Sequence, residues 1–256
     1  MAGAFLFAAI PGLARQSSEI RLPTDPKTPV ITFDWRGGLA LQPRIKSEPV
    51  LTIRANGTIT VVDPFSNVAD ISGALTAEEL QDLLKFMVKD HDVFGIREQE
   101  IGAAIEAEMK RMGRFFGVSD ASDTVVRIQL AGQEHEASFN AVRVFAPRFP
   151  GIAALGHLLA IESRLTRIVE SLRAGGASKI AAALDQANAH LKRTNPGLAP
   201  LTADDYLRTL DSGNGRRLMQ FLRDQGDNTN LSVTVEYTAN QEPSVRVSIQ
   251  TKSPLR

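Results

Sequence analysis

The chain has 256 residues, 43% of them hydrophobic and 23% charged, enough to shield roughly 70 to 75% of its unfolded surface in a folded core. Lys plus Arg and Asp plus Glu both number 29, so no net field draws the chain toward nucleic acid or an anionic membrane surface, and no basic run makes a local exception. Cysteine is absent, which excludes disulfides, thiolate nucleophiles and Cys-based zinc or iron-sulfur sites.

At the N-terminus, the short apolar run Ala4-Phe5-Leu6-Phe7-Ala8-Ala9-Ile10 is broken by Pro11-Gly12 and followed by the small-x-small triplet Gly12-Leu13-Ala14. This pattern predicts a secretory signal over residues 1–14, cleaved after Ala14, and an exported protein, periplasmic or secreted. No Lys or Arg precedes Arg15, so the positive flank of such a signal is missing, and a buried N-terminal strand is the competing reading. No later run approaches the ~18 apolar residues of a transmembrane span. Residues 15–29, with Pro23, Pro26 and Pro29, read as an extended tether. Residues 30–256 read as one α+β globular unit, with a candidate subdivision near 146–151.

Val30 to Trp35 carries the β-branched and aromatic residues of a strand, which Arg36-Gly37-Gly38 breaks. Val50-Leu51-Thr52-Ile53-Arg54 and Thr58-Ile59-Thr60-Val61-Val62 then alternate around Asn56-Gly57, a hairpin signal. A three-residue loop, Ala55-Asn56-Gly57, sets Ile53 opposite Ile59 and Leu51 opposite Val61, keeping the apolar residues on one face with Gly57 left-handed. Leu75-Thr76-Ala77-Glu78-Glu79-Leu80 is a capping box opening a helix, whose stripe Leu80, Leu83, Leu84 and Met87 suits that face. A second helix follows over Glu98 to Met112, with Ile101, Ala104, Ile105, Met109 and Met112 at helical spacing and Gly113 to end it.

Thr124 to Phe139 predicts a second hairpin, with Val126, Ile128 and Leu130 matched by His135, Ala137 and Phe139, while Arg127 and Gln129 face Glu134 and Glu136. A long helix runs from Ile152 to about Arg173, where Gly175-Gly176 stops it. Ser178 is expected to cap a further helix carrying Ile180, Leu184, Ala187 and Leu191. Leu201-Thr202-Ala203-Asp204-Asp205-Tyr206 echoes the earlier capping box and predicts a short helix from Ala203 to Leu210. Arg217 to Arg223 suits a strand or a helical turn. Leu231 to Tyr237 and Val245 to Ile249 alternate as an antiparallel pair. The fold class expected is therefore α+β, antiparallel β-hairpins packed against four or five helices.

His91, His135, His157 and His190 are the only imidazoles, and none stands in a paired metal-binding arrangement. Gln133-Glu134-His135-Glu136 cannot converge on one ion from a strand, because alternate side chains point to opposite faces, so His135 reads as structural. No nucleophile elbow, phosphate loop or dinucleotide fingerprint occurs; Gly213-Asn214-Gly215 lacks the third glycine. Glu78-Glu79 and Asp204-Asp205 suit first helical turns, where the dipole favours negative charge. No catalytic, cofactor or metal set is expected. The most distinctive cluster is Asp34, Trp35, Arg36, Gly37 and Gly38, which joins the only Trp to a glycine pair. It is the candidate contact surface, with a Trp closing the core as the alternative.

The succession Pro49 to Gly57, then Leu75-Thr76-Ala77-Glu78-Glu79-Leu80, then Phe94 resembles a loose group of uncharacterised exported bacterial proteins. Over residues 33–94, Gly37-Gly38, a strand pair, the L-x-x-E-E-L helix and a closing Phe are similar to the emfourin-type inhibitors of thermolysin-like metalloproteases. The composition and motifs lead to an exported, non-enzymatic binding protein with an unknown protein partner. The resemblance implies a protease inhibitor as one alternative, and an enzyme with an unrecognised site is the other.

Overall fold

The computed structural model describes residues 20–38, 43–202, 205–211, 216–226, 229–238 and 242–251. The apolar run 4–10, the triplet 12–14 and Gly213-Asn214-Gly215 lie outside the described residues. Among those described, five α-helices and ten strands form an α+β fold with two antiparallel sheets.

The first sheet has the order β4-β3-β2-β1-β5-β6, built from β1 (Pro29–Gly37), β2 (Leu51–Arg54), β3 (Thr58–Val61), β4 (Ile71–Ala74), β5 (Ser122–Leu130) and β6 (Gln133–Asn140). The first hairpin forms as its apolar face requires, with Ile53 opposite Ile59 and Leu51 opposite Val61. Gly57 has φ +80°, and its carbonyl accepts the Leu75 amide, tying the turn to the start of the next helix. The second hairpin sets Val126 against Ala137 and Ile128 against His135, while Arg127 pairs with Glu136 at 2.9 Å on the wet side.

Cross-strand register puts Ile31, Phe33 and Trp35 on one face with Leu51, Ile53, Val126 and Ile128. Helices α1 (Ala77–Lys85), α2 (Glu98–Met112) and α4 (Ala153–Ala174) add Leu80, Leu84, Ile101, Ile105, Leu158, Ile161 and Leu165 to the same buried core. The capping box is complete: Thr76 Oγ1 accepts the Glu79 amide and the Glu79 carboxylate accepts the Thr76 amide. Met112, expected in the core stripe of α2, is instead 44% exposed, while Met109 of the same turn packs against the core. The chain ahead of β1 is docked from Ile20 onward, where the Gln81 side-chain amide bonds both the amide and the carbonyl of Ile20.

A short α3 (Val142–Phe145) precedes α4 and has no counterpart in the sequence reading; one helical turn is too short for periodicity to register. Gly175, in the left-handed region at φ +91°, ends α4. Helix α5 (Ala177–Thr194) is capped by Gly176 rather than by Ser178, which falls inside the first turn and bonds no free amide.

The second sheet, β10-β9-β8-β7, is built from β7 (Tyr206–Asp211), β8 (Arg216–Gly226), β9 (Thr229–Thr238) and β10 (Ser244–Thr251). Its apolar face, with Met219, Phe221, Leu231, Val233 and Val235, packs on Ala183, Ala187 and Leu191 of α5. The helix expected from Ala203 to Leu210 is overturned: residues 203 and 204 lie outside the described set, Asp205 is a bend, and Tyr206 to Leu210 belong to β7. The local signal still acts, since the Thr202 amide donates to Asp205 Oδ2 at 2.7 Å and the Asp205 amide returns to the Thr202 carbonyl. Leu207 and Thr209 then face Phe221 and Met219 across the strand pair, and pairing along β8 takes the chain before a second helical turn can form. Arg223 holds Asp205 at this corner. Burial alone would raise that carboxyl, but the bonds from Arg223 and Thr202 outweigh it and keep it below the ordinary carboxylate value. Residues 217–223, whose pattern suits a strand or a helical turn, are strand.

Candidate functional site

The end of β1 separates the residues of the candidate contact surface. Asp34 lies on the face opposite Trp35, yet is only 4% exposed, because Arg44 covers it with bonds of 3.0 and 3.1 Å to its two carboxylate oxygens. The same guanidinium donates to the carbonyls of Trp35 and Glu48, so Asp34 is satisfied by the loop it anchors. Arg36, Gly37 and Gly38 are exposed at the strand end. The close backbone approach at Gly38 comes from the chain itself, since a Cβ there would meet Ser122 Oγ at 2.7 Å. Arg36 Nε lies 3.5 Å from Asp34 Oδ2, so these two share one face of the strand while Trp35 takes the other.

Trp35 is half-buried. Its ring meets Phe33 edge-on at 4.6 Å, and its Nε1–H donates to Glu162 Oε1 at 3.1 Å. Glu162, on α4 and 1% exposed, also accepts from Arg143 Nε at 2.7 Å and from Thr124 Oγ1 at 3.1 Å. A buried carboxylate survives only with such partners, and this one ties β1, β5, α3 and α4 together.

The outer side of Trp35 opens into a cleft of about 500 Å³ between the two sheets. One wall is apolar and comes from the first sheet and the loop after β3: Trp35, Val50, Val61, Phe65, Val68 and Ile71. The other end carries Arg173 from the last turn of α4, Thr209 from β7 and Arg217 from β8. The carboxylates nearby are committed. Asp63 Oδ1 accepts the Phe65 amide at 3.0 Å and Oδ2 the Ser66 hydroxyl at 2.8 Å. Glu170 bonds Arg173 at 3.1 Å through one oxygen and takes the Thr209 amide with the other. Arg217 sits beside Gly175 at the negative end of α4 and meets no carboxylate among the described side chains.

The loop over the cleft is held by its own side chains and by the segment ahead of β2. The Ser66 hydroxyl accepts the Val68 amide, Lys46 Nζ bonds the Val68 carbonyl at 2.7 Å and Asp70 at 2.9 Å, and the Ile45 amide bonds the Pro64 carbonyl at 2.8 Å. Held this way, the loop leaves Phe65 41% and Val68 63% exposed.

None of the four histidines lines this cleft. His135 Nε2 lies 3.0 Å from the Ile96 carbonyl and 3.2 Å from Arg97 Nη1, a structural position between β6 and the start of α2. His91 and His157 lie 5.4 Å apart, ring edge to ring face. No group of three or more His, Asp or Glu that could hold a metal occurs among the described residues. Of the site now visible, the sequence pointed only to Trp35; Asp63-Pro64-Phe65-Ser66 carried the Asx-turn signal that marks the loop. Arg173, Thr209 and Arg217 carried none, since they meet only through the packing of the two sheets. No family model, curated protein or solved structure matches the chain.

Proposed function

We propose that the protein is an exported binding protein that works by surface contact through the rim of this cleft. The observation that carries it is the loop after β3, which is fixed by its own hydrogen bonds while presenting Phe65 and Val68 to solvent. A contact loop ordered before binding loses little entropy on association, and large apolar side chains at its tip supply the contact area. The cleft beneath it offers cations and an apolar wall, and among the described residues its lining carboxylate, Asp63, is bonded inside its own turn. Export is supported by the apolar run 4–10 and the Gly12-Leu13-Ala14 triplet.

Capture from the native envelope fraction tests this reading. A partner retained by the wild-type chain should be lost with the double variant Phe65→Ser, Val68→Ser and kept with Phe115→Ser, which alters an exposed aromatic beyond the end of α2. Loss in both variants, or in neither, removes the assignment. The same loop favours the inhibitor reading second, because protease inhibitors present a preordered loop. That reading requires the protein to inhibit a thermolysin-like metalloprotease and to stop doing so with Phe65→Ser. Recovery of intact Met1 from the native host would remove export.

A further inference from the structure

We propose that the cleft binds an amphiphilic anion, a molecule with an extended apolar body and one anionic head such as a carboxylate. The body lies along Trp35, Val61 and Ile71, and the head is received by Arg173 and Arg217. This rests on the reading of the cleft rim as the binding surface and names the chemistry it selects.

The lining is segregated. Every apolar wall residue comes from the first sheet or its loop, and both cations come from the junction of α4 with the second sheet. Arg217 sets the sign of the head. Asp63 and Glu170 keep their charges, but Asp63 is bonded inside its own turn and Glu170 to Arg173 and the Thr209 amide, which leaves Arg217 the lining cation with no carboxylate partner among the described side chains. An uncharged apolar ligand would desolvate the arginines without replacing their water, and a cationic one would be repelled. A wholly polar anion would leave the apolar wall unused. The volume of about 500 Å³ lies within the usual range of small-molecule sites.

Trp35 is the only tryptophan, so the cleft carries its own reporter. The full chain is titrated with dodecanoate below its micellar threshold, following Trp35 emission and heat. The expected result is a saturable one-to-one response, with octanoate weaker by about fourfold for each methylene removed. Dodecanol, which lacks the charge, should bind at least about tenfold more weakly than dodecanoate, and Arg217→Gln should remove that advantage. Arg217 is exposed, so this change leaves the core intact, and unchanged dodecanol affinity confirms that the variant is folded. No saturable response, or equal binding of dodecanol and dodecanoate with no effect of Arg217→Gln, overturns the proposal. If dodecanoate fails while Phe65- and Val68-dependent capture persists, the ligand class falls and the surface-contact reading stands. Dodecanoate binding without capture keeps the cleft and removes the protein partner.

Discussion

Gly57 and Gly132 have nearly the same backbone, φ +80° and +82°, in the turns of the two hairpins, but different surroundings. A Cβ on Gly57 would come within 2.3 Å of the Leu75 carbonyl oxygen, whereas one on Gly132 meets nothing within 4 Å. Gly132→Ala should therefore cost only the backbone strain, about 1 kcal/mol. Gly57→Ala adds a backbone clash and should cost on the order of 3 kcal/mol. Denaturant midpoints of the two variants check the difference. A second residue-level expectation concerns acid. His91 has a buried Nδ1 with no partner, and burial, then the neighbouring His157, lower its pKa against the opposing pull of Asp90. The unfolded chain then binds the proton more tightly than the fold does. Stability should fall as the pH drops below the ordinary histidine value of 6.5 and level off only below the lowered folded value. His91→Gln should flatten that slope between pH 6.5 and 5, as measured by urea unfolding at each pH.

At the scale of elements, cap chemistry decides which side chains matter. Thr76 closes a reciprocal box at the start of α1, so Thr76→Ala should cost about 1 kcal/mol. Ser178, one residue inside α5, makes no cap bond, so Ser178→Ala should leave the melting midpoint within experimental error. Equal losses in both would contradict the assignment of Gly176 as the cap. The same comparison explains why the echo at Leu201 misleads. A capping box specifies one turn; whether a helix continues depends on an apolar stripe and on what competes for the backbone. After Thr76 the stripe Leu80, Leu83, Leu84 and Met87 has a sheet face to cover. After Thr202, Leu207 and Thr209 alternate, and β8 offers a full ladder of partners.

Across the whole molecule, buried side chains form two clusters, one reaching Leu172 at its edge and the other beginning at Ala174, so α4 belongs to the first and abuts the second. Glu170 fastens the junction by accepting the Thr209 amide of the edge strand β7, while the Thr209 hydroxyl donates to the Glu170 carbonyl. Glu170→Ala leaves that edge amide and Arg173 without their acceptor and should cost about 1.5 to 3 kcal/mol. Hydrogen exchange should locate the effect, with faster exchange at Thr209 and unchanged protection in β2 and β3. The junction also sets the site, because the cations of the cleft come from one side of it and the apolar wall from the other.

The sequence by itself determined whatever depends on neighbours along the chain. Alternation and an Asn-Gly turn dictated the first hairpin to the residue, the period of 3.6 dictated α2, α4 and α5, and the capping box together with the stripe behind it dictated α1, because each is a local choice that burial then rewards. It marked Trp35 through its rarity. Only the tertiary structure decided that Arg44 covers Asp34, that the chain after Thr202 becomes a strand, and that Arg173, Thr209 and Arg217 meet Trp35 across a cleft. Those outcomes turn on contacts between segments far apart in sequence, where the competing partner, and not the local pattern, carries the larger free energy.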